Sequence, residues 1–113
     1  MKYTGIVQKG AGRSAALGFP TINIPLDDAN ASGIYAARVK VGEEEYEAAV
    51  YADQKRKLLE AHLLDFSKDL YGWNVGIELL KKIRESEKFT DETLLRKAIA
   101  RDVVSVREYF ARL

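Results

Sequence analysis

The sequence contains no cysteine, which excludes disulfides, thiolate nucleophiles, iron–sulfur clusters and cysteine-ligated zinc together. Its one histidine, His62, excludes a multi-histidine metal site. No apolar run approaches the roughly 20 residues of a membrane-spanning helix, and the N-terminal stretch MKYTGIVQKG lacks the apolar core of a secretion signal. Neither sign of charge dominates. Eighteen Lys+Arg against seventeen Asp+Glu leave +1, with no polycationic footprint for nucleic acid or an anionic membrane. Bound anions must then be held by local geometry. What is present is 113 residues, 47% of them hydrophobic, enough for one domain that buries about two-thirds of its unfolded surface. A soluble, cytoplasmic domain is expected, and any metal it handles should be a hard, oxygen-ligated ion such as Mg²⁺.

No internal repeat, low-complexity tract or linker divides the chain, so residues 1–113 are expected to form a single unit. Tyr3–Lys9 reads as a short strand running into Gly10–Pro20, which is too rich in glycine for a helix interior or a central strand and is expected to be a loop. Thr21–Ile24 is a brief extended piece stopped by Pro25, and 27–33 is a second loop of turn-forming residues. From Ile34 the pattern has period two, with Tyr35, Ala37, Val39 and Val41 on one face and Arg38 and Lys40 on the other. Gly42–Glu44 marks a turn, and Tyr46–Tyr51 reads as the returning strand of a hairpin. The polar stretch 52–57 leads to strands at Leu58–Leu64 and Trp73–Ile83. The last ~25 residues read as one helix with Thr90 as N-cap, Asp91 and Glu92 in its first turn, and a stripe of Leu94, Leu95, Ala98, Ile99, Val103, Val106 and Phe110. The fold class is therefore mainly β, an α+β arrangement of a small antiparallel barrel with one helix packed on its wall or open end.

Three regions carry candidate chemistry. In the loop Gly10–Phe19, glycines let backbone N–H groups approach phosphate oxygens, Arg13 adds local charge, and Thr21 and Asn23, two residues apart on an extended piece, can ligate one hard cation. It is neither a Walker A nor a G-x-G-x-x-G sequence, and a flexible hairpin connection is the commoner use of such glycines. In Leu58–Leu64, Glu60 and His62 share one face while Leu59, Ala61 and Leu63 share the other. Desolvation there would raise the carboxylate pKa toward that of a useful base, although a lone Glu–His pair more often makes a structural hydrogen bond. In 83–89, Arg84 follows an apolar strand and is the member best placed to face a ligand. Asp102 falls on the apolar stripe of the helix, where a bare carboxylate would be unfavourable, so a salt bridge to Arg84 or another base is expected. Tyr35, Phe66, Tyr71 and Trp73 are expected in the core or at its rim.

Together these segments resemble the riboflavin kinase (flavokinase) family over nearly the whole chain. The resemblance rests on Gly10–Arg13 with Leu17–Asn23, Ser32–Tyr35, Glu60–Phe66, Asp69–Gly72, Ile83-Arg84 with Lys88-Phe89, and Ile99 with Asp102. It implies a six-stranded antiparallel Greek-key barrel with a C-terminal helix, and transfer of the γ-phosphoryl group of ATP to the 5′-hydroxyl of riboflavin. By resemblance, Glu60 is the catalytic base; Gly10, Gly12, Arg13, Gly18, Thr21, Asn23, Leu63 and Tyr71 bind the nucleotide; Thr21 and Asn23 hold Mg²⁺; and Arg84, Lys88 and Phe89 contact the flavin. Such chemistry needs little beyond positioning and charge neutralisation. The implied partners are riboflavin/FMN and ATP/ADP for a monomer that binds neither nucleic acid nor membrane.

The sequence departs from the family in two places. The Asn-x-Gly-x-x-Pro-Thr flap of relatives is matched only by residues 51–57, without glycine or proline, and Ser14, Ala15 and Ala16 are small where relatives often carry glycine or a basic side chain. A shortened lid leaves the alternative of a non-catalytic flavin- or nucleotide-binding barrel. An oligonucleotide-binding barrel shares the fold class, but the basic residues are interleaved with acids. Many relatives are fused to an FMN adenylyltransferase, and FAD synthesis is not expected of these 113 residues.

Overall fold

The period-two segments form strands that curl around one apolar centre. In the computed structural model, which describes residues 1–10 and 12–113, the order is β1 (Lys2–Ile6), α1 (Arg13–Ala16), β2 (Ile22–Pro25), β3 (Gly33–Val41), β4 (Glu44–Asp53), β5 (Leu58–Leu63), β6 (Asn74–Arg84) and α2 (Glu92–Ala111). The six strands pair antiparallel in the order β1-β6-β3-β4-β5-β2. β3, β4 and β5 are consecutive neighbours, and β6 returns to lie beside β3, which is a Greek key. The ends of the sheet come together where Gln8 bridges Asn23, with the Gln8 N–H donating to the Asn23 carbonyl at 2.8 Å. The barrel is thus nearly closed, and little strand edge is left exposed.

Alternation sorts the side chains as the strand pattern requires. Tyr35, Ala37, Val39, Val50, Leu59, Ala61, Leu63, Val75 and Ile77 fill the interior. On the outer wall a second cluster, built on Ala36, Ala49, Leu64 and Val106, joins α2 to the barrel, with Ile83, Val103, Tyr109 and Phe110 around it. Ala36 and Ala49 are register partners, and their small side chains let the helix approach the sheet closely. The helix stripe therefore covers the barrel wall, not its open end, except for Leu94, which is exposed in the first turn.

Several expected boundaries move. Gly10–Pro20 is not all loop: Arg13–Ala16 makes one helical turn between Gly12 and Gly18, both in the left-handed region (φ 75° and 96°). Ser14-Ala15-Ala16 is compatible with helix, and the flanking glycines stop the turn on both sides. Ala11 lies outside the described residues. The N-cap of α2 is Asp91, whose carboxylate accepts the Thr93 N–H at 2.7 Å, and not Thr90. β4 extends to Asp53, so Ala52 and Asp53 are buried strand residues instead of part of a polar connection. Among the described residues no helix is long and apolar enough to cross a membrane.

Candidate functional site

Register places the candidate residues in a single line across the outer wall. Asn23 of β2 lies opposite Glu60 of β5, Glu60 opposite Tyr51 of β4, Tyr51 opposite Ile34 of β3, and Ile34 opposite Arg84 of β6. Residues directly opposed in an antiparallel ladder project on the same face. The neighbouring pairs confirm which face this is, because Ile24 and Leu59 are fully buried inside. From Glu60 to Arg84 the row spans three strand spacings, about 14 Å. Glu60 and Asn23 are thus brought together by direct pairing.

Burial shapes the centre of the row. Glu60 is half-buried, and its pKa is raised above the usual carboxylate value, first by desolvation and then by the negative charge of Asp53, with Arg56 opposing. Tyr51 is raised for the same leading reason, with the charges of Asp53 and Glu60 adding to it. Asp53 is buried, accepts the Arg56 N–H at 3.1 Å, and faces the Arg56 guanidinium at 3.9 Å. Tyr51, Asp53 and Arg56 were not singled out from the sequence. The available signal was arithmetic: a turn at 54–57 folds Asp53 against Leu58, and hence Tyr51 against Glu60.

That turn is anchored. The Gln54 side-chain amide donates to the Asp28 carbonyl at 2.6 Å and to the Ala31 carbonyl, and the Leu26 N–H donates to the Lys57 carbonyl at 2.9 Å. The segment matching the family's flap is thus a short hairpin fixed to the 26–31 loop.

Next to the row opens a cleft of about 670 Å³, within the usual range for small-molecule sites. Of the residues expected on the nucleotide side, Gly10, Gly12, Thr21, Asn23, Leu63 and Tyr71 line it, whereas Arg13 and Gly18 do not. Lys9, also on the lining, sits 5.8 Å from the centre of the Tyr71 ring. Gly10 lies on Asn23 so closely that a Cβ there would stand 2.5–2.9 Å from the Asn23 amide group. Glycine is therefore required by approach distance. Under this cover Asn23 is 5% exposed, and its Oδ1 has no hydrogen-bond partner. A buried carbonyl oxygen without a donor is a ready ligand for a hard cation, so Asn23 with the nearby Thr21 fits such an ion. Among the described residues no group of three or more His, Asp or Glu is placed to hold a metal, so most ligands would have to come from substrate and water.

His62 does not pair with Glu60. Its Nδ1 lies 2.8 Å from the Pro20 carbonyl, and its ring meets Phe19 edge-on at 5.5 Å. At the other end of the row, Arg84 grips Asp102 of α2 through two bonds of 2.8 Å, the expected salt bridge, and donates to the Glu85 carbonyl at 3.0 Å. Three of the five guanidinium N–H groups are engaged in this way, leaving two for a ligand. Lys88 and Phe89 lie beyond it in the β6–α2 connection, away from the cleft lining. Tyr35 is in the core, Phe66 packs against it, and Tyr71 and Trp73 are exposed at the rim.

Comparison with known proteins supports the family and the fold. The family model described as "Flavokinase: Riboflavin kinase" matches residues 1–110. The bifunctional riboflavin kinase/FMN adenylyltransferase of Escherichia coli K12 is 35% identical over 95% of this chain and 37% of its own length. The chain thus spans little more than a third of that curated relative. Among solved structures, riboflavin kinase from Trypanosoma brucei superposes with a TM-score of 0.71 at 27% identity, covering 97% of this chain and 79% of the other. A Streptococcus pneumoniae structure described as a macrolide-efflux protein superposes with a TM-score of 0.81 at 27% identity, covering 94% of this chain and 38% of the other.

Proposed function

The chain belongs to the riboflavin kinase family, and on that premise we propose that it transfers the γ-phosphoryl group of ATP to the 5′-hydroxyl of riboflavin, giving FMN and ADP. The observation that carries the reading is the row from Asn23 through Glu60 and Tyr51 to Arg84, bordered by the cleft. A nucleotide in the cleft presents its phosphates to Thr21 and Asn23, and a flavin laid along the row brings its ribityl end to Glu60. Glu60 accepts the hydroxyl proton as the new O–P bond forms and the bond from the γ-phosphorus to the bridging oxygen of ADP breaks. Its raised pKa makes it a better proton acceptor than an exposed carboxylate.

Mg²⁺ would be held by Thr21 and by Asn23 Oδ1, where it supplies neutralisation of phosphate charge. Gly10 and Gly12 give the backbone close approach to the nucleotide, and Leu63 and Tyr71 wall the cleft. Arg13 and Gly18 act only through the shape of the glycine segment. The two free N–H groups of Arg84 face the flavin, with Lys88 and Phe89 beside them. Residues 1–113 work as one domain, a monomer in the cytoplasm.

The test is incubation with riboflavin and Mg-ATP, with products resolved by chromatography. FMN should appear in step with ADP. The fixed hairpin at 54–57 favours a second reading, a flavin-binding barrel without turnover. Retention of riboflavin with no FMN formed would select that reading over the first.

A further inference from the structure

The role of His62 is not absorbed by the proposed reaction, which uses its neighbour Glu60. We propose that His62 is a positioning residue: through Pro20 it fixes Thr21 against β5, the strand that carries Glu60. A carbonyl oxygen can only accept, so the 2.8 Å contact requires a hydrogen on His62 Nδ1, donated to Pro20. Pro20 immediately precedes Thr21, and it lines the cleft together with Thr21 and Asn23. Phe19 presses edge-on against the same imidazole, so two consecutive residues of the glycine segment rest on one side chain.

Among the described residues, other supports for this segment are sparse. Its backbone bonds from Ala16 to Phe19 close on residues 12–15 of the segment itself, and Asn23 is tied to Gln8. Among the described residues the hydrogen bond from His62 is the side-chain bond between segment 10–20 and the sheet. His62 and Glu60 stand two residues apart on the same face of β5. One strand thus sets both the base and the entry to the phosphate side, and their separation is held without a lid. The β2–β5 ladder holds Thr21 from its far side, beginning with Ile22 opposite Ala61, and the His62 bond holds it from the near side through Pro20; losing that bond frees the near side, which should be felt in nucleotide binding more than in the proton transfer.

This inference rests on the reading of Thr21 as a phosphate-side residue, and the experiment separates the two. Mg-ADP binding is measured by calorimetry on the full chain, alongside KM and kcat, for wild type, Thr21→Ala, His62→Ala, His62→Asn and His62→Gln. His62→Ala should weaken Mg-ADP about fivefold and raise KM for Mg-ATP equally, with KM for riboflavin nearly unchanged. Asn places its amide N–H where Nδ1–H stood and should recover most of the loss; Gln places it too far along and should not. Phe19→Leu, which removes only the ring contact, should show a smaller effect of the same kind and keeps the test open if His62→Ala folds poorly. If Thr21→Ala leaves Mg-ADP binding intact, the reading of Thr21 fails. If Thr21→Ala weakens it and His62→Ala does not, or if Asn restores no more than Gln, the positioning role of His62 fails alone.

Discussion

Two connections border the row on the outer wall, and they are secured in opposite ways. The hairpin at 54–57 is locked by the Gln54 amide on two carbonyls, by Asp53 on the Arg56 N–H, and by Leu26 on Lys57. The glycine segment 10–20 buries one described side chain, Leu17, and leans on the sheet through His62. Where relatives place a flap on the hairpin side, this chain has a wall. On the proposed function, closure over a nucleotide would come from the glycine side, whose described residues make few contacts with the rest of the chain.

The largest effect should come from removing the proposed base, which both connections flank. Glu60→Gln should lower kcat by roughly 10²- to 10⁴-fold while riboflavin still binds. The same substitution should raise Tm by a few degrees at neutral pH. The sign follows from the raised pKa: Glu60 favours the folded state below its unfolded value, and that contribution is lost as pH rises through the folded one. A calorimetric melt showing no gain at pH 7, or a gain that persists in acid, contradicts it.

Gly10→Ala should come next. Its Cβ would push on Asn23, and Gly10 should yield before the strand does, weakening Mg-ATP by about tenfold with folding intact. Equal loss of stability and affinity would mean that the segment is as rigid as the hairpin. Gln54→Ala should do the reverse, removing about 1 kcal/mol of stability, or several degrees of Tm, with Mg-ATP KM unmoved. Amide exchange at 54–57 should quicken. The smallest effect is expected from Asp53→Asn. With the neighbouring charge gone, the acidic limb of the kcat profile should move to lower pH, toward the ordinary carboxylate value of 4.5. A limb that moves to higher pH would show that Asp53 does not act on Glu60 by charge.

The strands were readable wherever one face is apolar and the other polar, as in Tyr35–Val41, and Leu58–Leu63 even gave the facing of Glu60 and His62 correctly. The Arg84–Asp102 bridge was readable because a carboxylate on an apolar stripe needs a partner. Tyr51 and Asp53 escaped notice because a buried aspartate at a strand end breaks the pattern that defines the strand. The row escaped for a different reason. It is a property of register, set by hairpin length, and the turn 54–57 has no Asn-Gly or Gly signature to announce where it bends. The partner of His62 lies 42 residues away, and no local spacing points to a proline carbonyl.

Asn23 does two jobs at one place. Its backbone carbonyl takes the Gln8 N–H where the first and last strands of the sheet meet, and its side-chain oxygen is buried beside the cleft without a hydrogen-bond partner. On the proposed function, the clasp of the barrel is also its point of contact with cargo. Occupancy of the cleft would tighten the seam itself, so that an empty molecule is the one whose wall unzips first and a loaded one is welded shut.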